Sequence, residues 1–261
     1  IAAAKVGGIL ANKTSKAEFI YQNLMIQANV IHSAYHSGVQ SLLFLGSSCI
    51  YPKLSMQPIK EDMLLTGPLE ETNEPYALAK ITGIKMCESY NKQYGTDYRC
   101  VMPTNLYGPE DNFHLKNSHV IPALIKKFHD AKHNSASEVK VWGTGKAKRE
   151  FLHVDDLAEA CMHIMKMRKS EYQAIYDQGY SHVNIGTGID ITIKDLSMLL
   201  KKIIKFEGDV NFDAEMPEGT PRKVLDVDLI NRLEWKPKIS LNKGLDETYK
   251  WFKENLINLR K

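Results

Sequence analysis

Tyr76 and Lys80 stand four residues apart in Tyr76-Ala77-Leu78-Ala79-Lys80. On a helix that spacing brings a phenol and an ammonium to one face, where they share a site. A phenol with an unperturbed pKa near ~10 is a poor acid at neutral pH, and a neighbouring ammonium favours its ionised form and lowers that pKa. Tyr76 could then exchange a proton with a carbonyl oxygen. Ser47 and Ser48 follow the apolar run Leu42-Leu43-Phe44-Leu45, and a hydroxyl there can bond the same oxygen and hold the carbonyl beside a hydride donor. Taken alone, the Tyr/Lys spacing is a frequent accident of exposed helix faces, and a serine at a strand end is a turn cap. Together they point to hydride transfer on a bound nicotinamide.

These groups need elements to position them. Residues 41–48 form a short, nearly continuous apolar run ending in small polar residues, as in a strand buried on both faces. Apolar residues recur at helical spacing over 18–36, closed by Gly38, and over 76–94, opened by Pro75 and closed by Gly95. Residues 98–102 read as the next strand. This alternation predicts a doubly wound α/β architecture, a parallel sheet covered by helices with ligands beyond the carboxyl ends of its strands. Further on, the pattern predicts helices over 118–131, 154–167, 193–205 and 243–256, with strands over 139–142 and 182–185.

Composition narrows the classes. A hydrophobic fraction of 43% and a charged fraction of 25% are those of a globular protein, not of a disordered, collagenous or disulfide-built one. The net charge of +3, from 34 basic and 31 acidic residues dispersed along the chain, argues against a dedicated nucleic-acid surface. Cys49, Cys87, Cys100 and Cys161 are widely spaced, so reduced thiols in a cytoplasmic protein are expected and a metal site is not. No apolar run is long enough to span a bilayer, and the opening residues lack the regions of a signal peptide, so a soluble protein is expected.

The serine and Tyr/Lys arrangement resembles the extended short-chain dehydrogenase/reductase family. Within it the chain is similar to the GDP-L-fucose synthases, through an ordered series of segments that covers essentially its whole length. These are Ala3-Ala4-Lys5-Val6-Gly7-Gly8-Ile9, Gly46-Ser47-Ser48-Cys49-Ile50-Tyr51-Pro52, Asn73-Glu74-Pro75-Tyr76 and Pro103-Thr104-Asn105-Leu106-Tyr107-Gly108-Pro109. They continue in Asn117-Ser118-His119-Val120-Ile121-Pro122, Val141-Trp142-Gly143-Thr144-Gly145, Arg149-Glu150-Phe151-Leu152-His153-Val154-Asp155-Asp156-Leu157 and Gly219-Thr220-Pro221-Arg222-Lys223.

The resemblance implies GDP-4-keto-6-deoxy-D-mannose as substrate, epimerised at C3 and C5 and then reduced at C4 by NADPH, and a homodimer packed through 19–36 and 76–94. It implies Ser47, Tyr76 and Lys80 as the catalytic triad and Cys49 and His119 as the acid and base at carbon. It implies a cofactor lined by Leu45, Gly46, Ser47, Ser48, Lys80, Pro103, Thr104, Asn105, Leu106 and His119. Lys127, Arg149 and Lys223 would face the diphosphate and Trp142 the guanosine, with a lysine at 127 where bacterial members lead one to expect arginine. Residues 1–108, with a contribution from 149–188, would form the Rossmann-like NADP-binding domain, and 109–261 a smaller mixed α/β domain for the GDP-sugar.

One departure stands out. A dinucleotide-binding fold opens with a strand, a glycine-rich turn and a helix that holds the pyrophosphate, and these 261 residues begin instead at a segment that follows a later strand in the family. One or two βαβ units of roughly 30 residues are therefore expected to be missing, with the adenosine side of the cofactor and the basis of NADP preference. Gly7-Gly8 is too short to substitute and reads as a loop turn. Two other readings stay open at this point: a related nucleotide-sugar epimerase or dehydratase, and a truncated binding protein without catalysis.

Overall fold

The computed structural model describes residues 1–115, 117–216 and 218–259. In chain order its helices are α1 (Ile9–Thr14), α2 (Lys16–His36), α3 (Glu74–Tyr94), α4 (Val120–His133), α5 (Val154–Lys166), α6 (Lys169–Asp177), α7 (Ile193–Ile204), α8 (Asp228–Arg232) and α9 (Leu241–Glu254). Its strands are β1 (Ser41–Leu45), β2 (Asp97–Pro103), β3 (Asn105–Tyr107), β4 (Glu138–Trp142), β5 (Lys148–His153), β6 (Val183–Ile185), β7 (Asp190–Thr192), β8 (Asp209–Asp213) and β9 (Arg222–Lys223).

A parallel sheet in the order β1-β2-β6 forms the first layer. The strand period of two sends alternate side chains to opposite faces. Phe44, Cys100 and Met102 pack with Ile31 of α2 and Ile84 of α3, whereas Val101, Val183 and Ile185 pack with Leu157, Ala160 and Ile164 of α5. Helices therefore cover both faces, as the doubly wound pattern predicts. Each fully buried aliphatic or aromatic side chain in these clusters contributes roughly 1.5–3 kcal/mol.

Helix α3 sets the site. Pro75 sits in its first turn, and Gly95 closes it at φ 68°, its N–H donating to Asn91 O. The helix descends onto β1 at Gly83, where a Cβ would lie 2.3 Å from the Phe44 ring. That close approach holds Tyr76 and Lys80, near its amino end, against the carboxyl end of β1.

Buried residues between Tyr107 and Phe151 and between Ile193 and Phe252 build a second core, in which α4, α7 and α9 pack around Phe128, Leu200, Leu245 and Phe252. β5 joins the two halves: it pairs parallel with β3 and β9 and antiparallel with β7. β4 pairs parallel with β8. At the other edge of the first sheet, the Ile1 amine donates to Leu43 O and Leu45 N donates to Ile1 O at 3.3 Å. All four cysteines are free thiols, and no helix among the described residues is long and apolar enough to cross a membrane.

Candidate active site

The carboxyl ends of β1 and β2 and the start of α3 open into one cavity of about 820 Å³. Leu45, Gly46, Ser47, Ser48, Cys49, Tyr76, Lys80 and His119 all line it, as do Pro103, Thr104, Asn105 and Leu106. Every catalytic and cofactor-side residue expected from the sequence thus reaches one chamber.

After β1 the chain turns extended at Ser47, whose Oγ accepts from Cys49 N at 3.3 Å and caps a short turn over Ser48–Ile50. Ser47 also lies beside the Tyr76 hydroxyl and acts to lower its pKa, so serine and phenol form a pair ready to hold one carbonyl oxygen. Lys80, 3% exposed, donates to Leu45 O at 2.8 Å and lies 4.9 Å from the centre of the Phe44 ring and 5.8 Å from that of Tyr76.

Here the structure corrects one expectation. The Tyr76 phenol is held well above the ordinary range, first by burial and then by the facing Cys49, with the nearby Ser47 only partly offsetting them. The Lys80 ammonium donates to Leu45 O beside two aromatic faces and makes no hydrogen bond to the phenolic oxygen. Burial in turn lowers Lys80 to about 8. Tyr76 is therefore a proton donor at neutral pH, which suits reduction of a ketone.

His119 precedes α4 as its N-cap residue. Its side chain opens into the cavity while the surrounding protein lowers its pKa by desolvation, with Asp111 opposing. The imidazole is thus neutral and free to accept a proton near pH 7. Cys49 lies in the short turn after β1, its sulfur 3.8 Å from the Lys223 ammonium.

The cations expected at the diphosphate divide. Arg149 on β5 and Lys223 on β9 are register partners and both line the cavity. Arg149 donates to Glu218 O at 3.1 Å, and burial lowers its pKa. Lys127 and Trp142 do not line the cavity. Lys127 instead donates to Lys140 O at 3.0 Å, with its ammonium 5.2 Å from the Trp142 ring centre. Residue type alone does not say which side of α4 a lysine takes, and here it packs on β4.

The residues suit a nicotinamide nucleotide. Lys80 is almost wholly buried, and among the described residues its ammonium donates one hydrogen bond, which leaves donors for the hydroxyls of a ribose. Two strand ends open on either side of it, the place where such folds hold their ligands.

Sequence reasoning passed over several wall residues. Gly7 and Gly8, read as a loop turn, line the cavity together with Asn12 and Glu70. Glu150, fully buried beside Arg149, accepts from the N–H groups of Thr187 (2.6 Å), Gly188 (2.7 Å) and Leu225 (2.8 Å). It ties the 187–188 turn and the segment after Lys223 to β5. The signal was there: an acid inside the apolar run of a strand buried on both faces must find such partners.

Comparison with known proteins places this geometry. Residues 1–186 match the model of the NAD dependent epimerase/dehydratase family. The chain is 58% identical over 260 residues to GDP-L-fucose synthase of Escherichia coli strain K12, covering 100% of this chain and 81% of that protein. It is 56% identical over 258 residues to GDP-L-fucose synthase 1 of Arabidopsis thaliana, covering 99% and 77%. Among solved structures, the GDP-mannoheptose C4 reductase of Campylobacter jejuni with NADP bound superposes with a TM-score of 0.84 at 38% identity, covering 97% of this chain and 80% of that one.

Proposed function

The chain belongs to the NAD dependent epimerase/dehydratase family, and from that premise we propose that it makes GDP-L-fucose from GDP-4-keto-6-deoxy-D-mannose, by epimerisation at C3 and C5 and NADPH-dependent reduction at C4. The observation that carries this is the joint presence, in one cavity, of two acid–base sets: Ser47 with Tyr76 and Lys80, and Cys49 with His119. Reduction of a ketone needs only the first.

C3 and C5 both adjoin the C4 ketone, so their protons become removable once the C4 oxygen is hydrogen-bonded as an enolate. Ser47 and Tyr76 hold that oxygen. Cys49 and His119 exchange protons with the two carbons, His119 as a neutral imidazole able to accept. A nicotinamide held by these residues would supply the hydride for C4. Tyr76, protonated at neutral pH, gives its proton to the C4 oxygen, and Lys80 would hold the ribose hydroxyls.

Arg149 and Lys223 meet the diphosphate through charge-assisted hydrogen bonds. From there the guanosine extends toward Trp142 and Lys127. Glu218 supports this path: its main chain holds Arg149, and its carboxylate accepts from the Thr144 hydroxyl at 2.8 Å, two residues beyond Trp142. Residues 1–108 with 149–188 form the cofactor half and the remainder of 109–261 the GDP-sugar half. The enzyme works in the cytoplasm as a homodimer joined through α2 and α3, whose outer faces expose Tyr21 (65%), Met25 (42%), Leu78 (42%) and Tyr94 (45%).

The test is incubation with GDP-4-keto-6-deoxy-D-mannose and NADPH, following absorbance loss at the nicotinamide band and identifying the sugar by NMR. GDP-L-fucose is the expected product. A reduced sugar with unchanged C3 and C5 would leave a plain C4 reductase, and an absence of NADPH oxidation would sink the proposal.

A further inference from the structure

The Gly7-Gly8 turn has a task that its backbone does not reveal. Gly8 is at φ −68°, ψ −178°, extended backbone that any residue adopts, so glycine is not needed there for conformation. It is needed for space. A Cβ on Gly8 would lie 2.6 Å from Ser118 O, a backbone atom of the residue immediately before His119. In the same contact Gly8 N donates to Asn117 O at 3.1 Å. Gly7 is crowded as well: its Cβ would lie 2.8 Å from Ala11 Cβ and 3.3 Å from Phe19 Cζ.

Asn12, 8% exposed, braces the turn from behind, its Nδ2 donating to Gly7 O at 2.7 Å and to Gly8 O at 3.1 Å. Gly8 is also the residue from which α1 starts, and His119 the residue from which α4 starts. The amino ends of two helices, one in each half of the protein, are thus docked backbone to backbone, directly beside an imidazole that lines the cavity.

The geometry points to Gly8 as a positioning residue for His119, acting through the Asn117–Ser118 backbone, with Asn12 as its brace. This rests on the reading of His119 as a proton-transfer residue. In this role Gly8 acts through the backbone packed against it. It fixes the distance from imidazole to substrate carbon, and a displacement of about 1 Å at such a group costs on the order of 10²-fold in rate.

The experiment reads the exchange of substrate carbon protons with solvent. The protein is incubated with GDP-4-keto-6-deoxy-D-mannose in D₂O, and deuterium at C3 and C5 is followed by NMR, while NADPH affinity is measured separately by fluorescence titration. For Gly8→Ala, exchange at the carbon served by His119 is expected to fall on the order of 10- to 100-fold, with NADPH affinity within about threefold of wild type. Asn12→Ala removes the brace without adding an atom, and the same selective loss is expected at about 3- to 10-fold, which keeps the test valid if the alanine at Gly8 perturbs folding.

Exchange that falls no further than NADPH affinity in both variants would overturn the positioning role, because the turn would then be only structural. Exchange absent from the wild-type protein would instead sink the reading of His119 itself.

Discussion

Two tyrosines with desolvated phenols, Tyr51 and Tyr76, flank Cys49 and do opposite things with their hydroxyls. Tyr51 is buried, donates to Asn184 Oδ1 at 2.5 Å and meets His182 Nε2 at 2.7 Å. Because its single proton goes to Asn184, the imidazole must carry its proton on Nε2, and Nδ1 accepts from the Ser181 hydroxyl at 3.0 Å. Asn184 completes the network with its Nδ2 on Ile59 O and Asp226 O and its backbone N–H on Glu61 Oε1. Burial holds His182 near 3, so the network stays neutral at that point throughout the working range. Tyr76, by contrast, has Ser47 for a partner and otherwise faces the cavity. Burial raises both phenols, yet one region spends its polar groups on itself and the other keeps them for a substrate. A desolvated polar group marks a scaffold when its bonds are complete and a site when they are not.

The sharpest break of this contrast is Tyr76→Phe. Removing the proton donor to the C4 oxygen is expected to lower NADPH oxidation on the order of 10³-fold, as for loss of a general acid, while the melting temperature stays near that of wild type. Steady-state kinetics and a thermal melt on the same preparation decide it. A tenfold or smaller effect on kcat would mean that another group delivers the proton.

Lys80→Met comes next and separates function from stability in the same protein. Folding lowers the Lys80 pKa from 10.5 to about 8. Between those values the unfolded chain binds more protons than the folded one, so stability rises with pH across that window and the ammonium is a cost below pH 8. Methionine removes the cost, so the variant is expected to melt roughly 2–4 °C higher at pH 7 than wild type, with the gain shrinking toward pH 10. Cofactor affinity is expected to fall at least about tenfold, for loss of a charge-assisted hydrogen bond. A variant that melts lower at pH 7 would show that the bond to Leu45 O and the Phe44 contact outweigh desolvation.

Tyr51→Phe tests the other side. It leaves Asn184 Oδ1 and the His182 N–H without partners in a dry region, at a cost of about 1–3 kcal/mol. Denaturant unfolding is expected to show that loss, with kcat within about threefold of wild type. A large fall in kcat at unchanged stability would merge the two regions into one functional unit.

How much of this was legible in the sequence follows the same division. The helices α2 and α3 and the strand β2 were readable to within about two residues and β1 to within three, because long periodic or continuous apolar patterns report burial directly. The short strands β3, β7, β8 and β9, with two to five residues each, carry no such pattern and owe their existence to pairing with distant partners. In the site, residues whose chemistry is distinctive were legible: Ser47, Tyr76, Lys80, Cys49 and His119 all reach the cavity. Lys127 and Trp142 were legible by type but not by direction, since only packing on β4 sets where they point. Gly8 and Glu150 were not singled out because what matters about them is how near another backbone or carboxylate comes, a fact of tertiary structure.

The smallest expected effect lies deepest in the scaffold. Glu61, 5% exposed, accepts from Asn184 N at 3.0 Å, and burial raises its carboxyl from 4.5 to about 7, with Asp226 and Asp62 adding to the shift. A folded-state pKa above the unfolded one means that the folded chain binds more protons between pH 4.5 and 7. The stability contributed by the protonated acid is therefore complete below pH 4.5 and is lost as pH rises through about 7. Glu61→Gln keeps an acceptor for Asn184 N and never ionises. Its stability relative to wild type is expected to be near zero at pH 4.5 and to grow to about 1–3 kcal/mol by pH 8, read from urea unfolding at both pH values. Activity is expected to stay within about twofold, because this carboxyl lies outside the residues lining the cavity. A difference independent of pH would mean that the carboxyl does not titrate in the folded state, and the back of the site would then owe its stability to geometry alone.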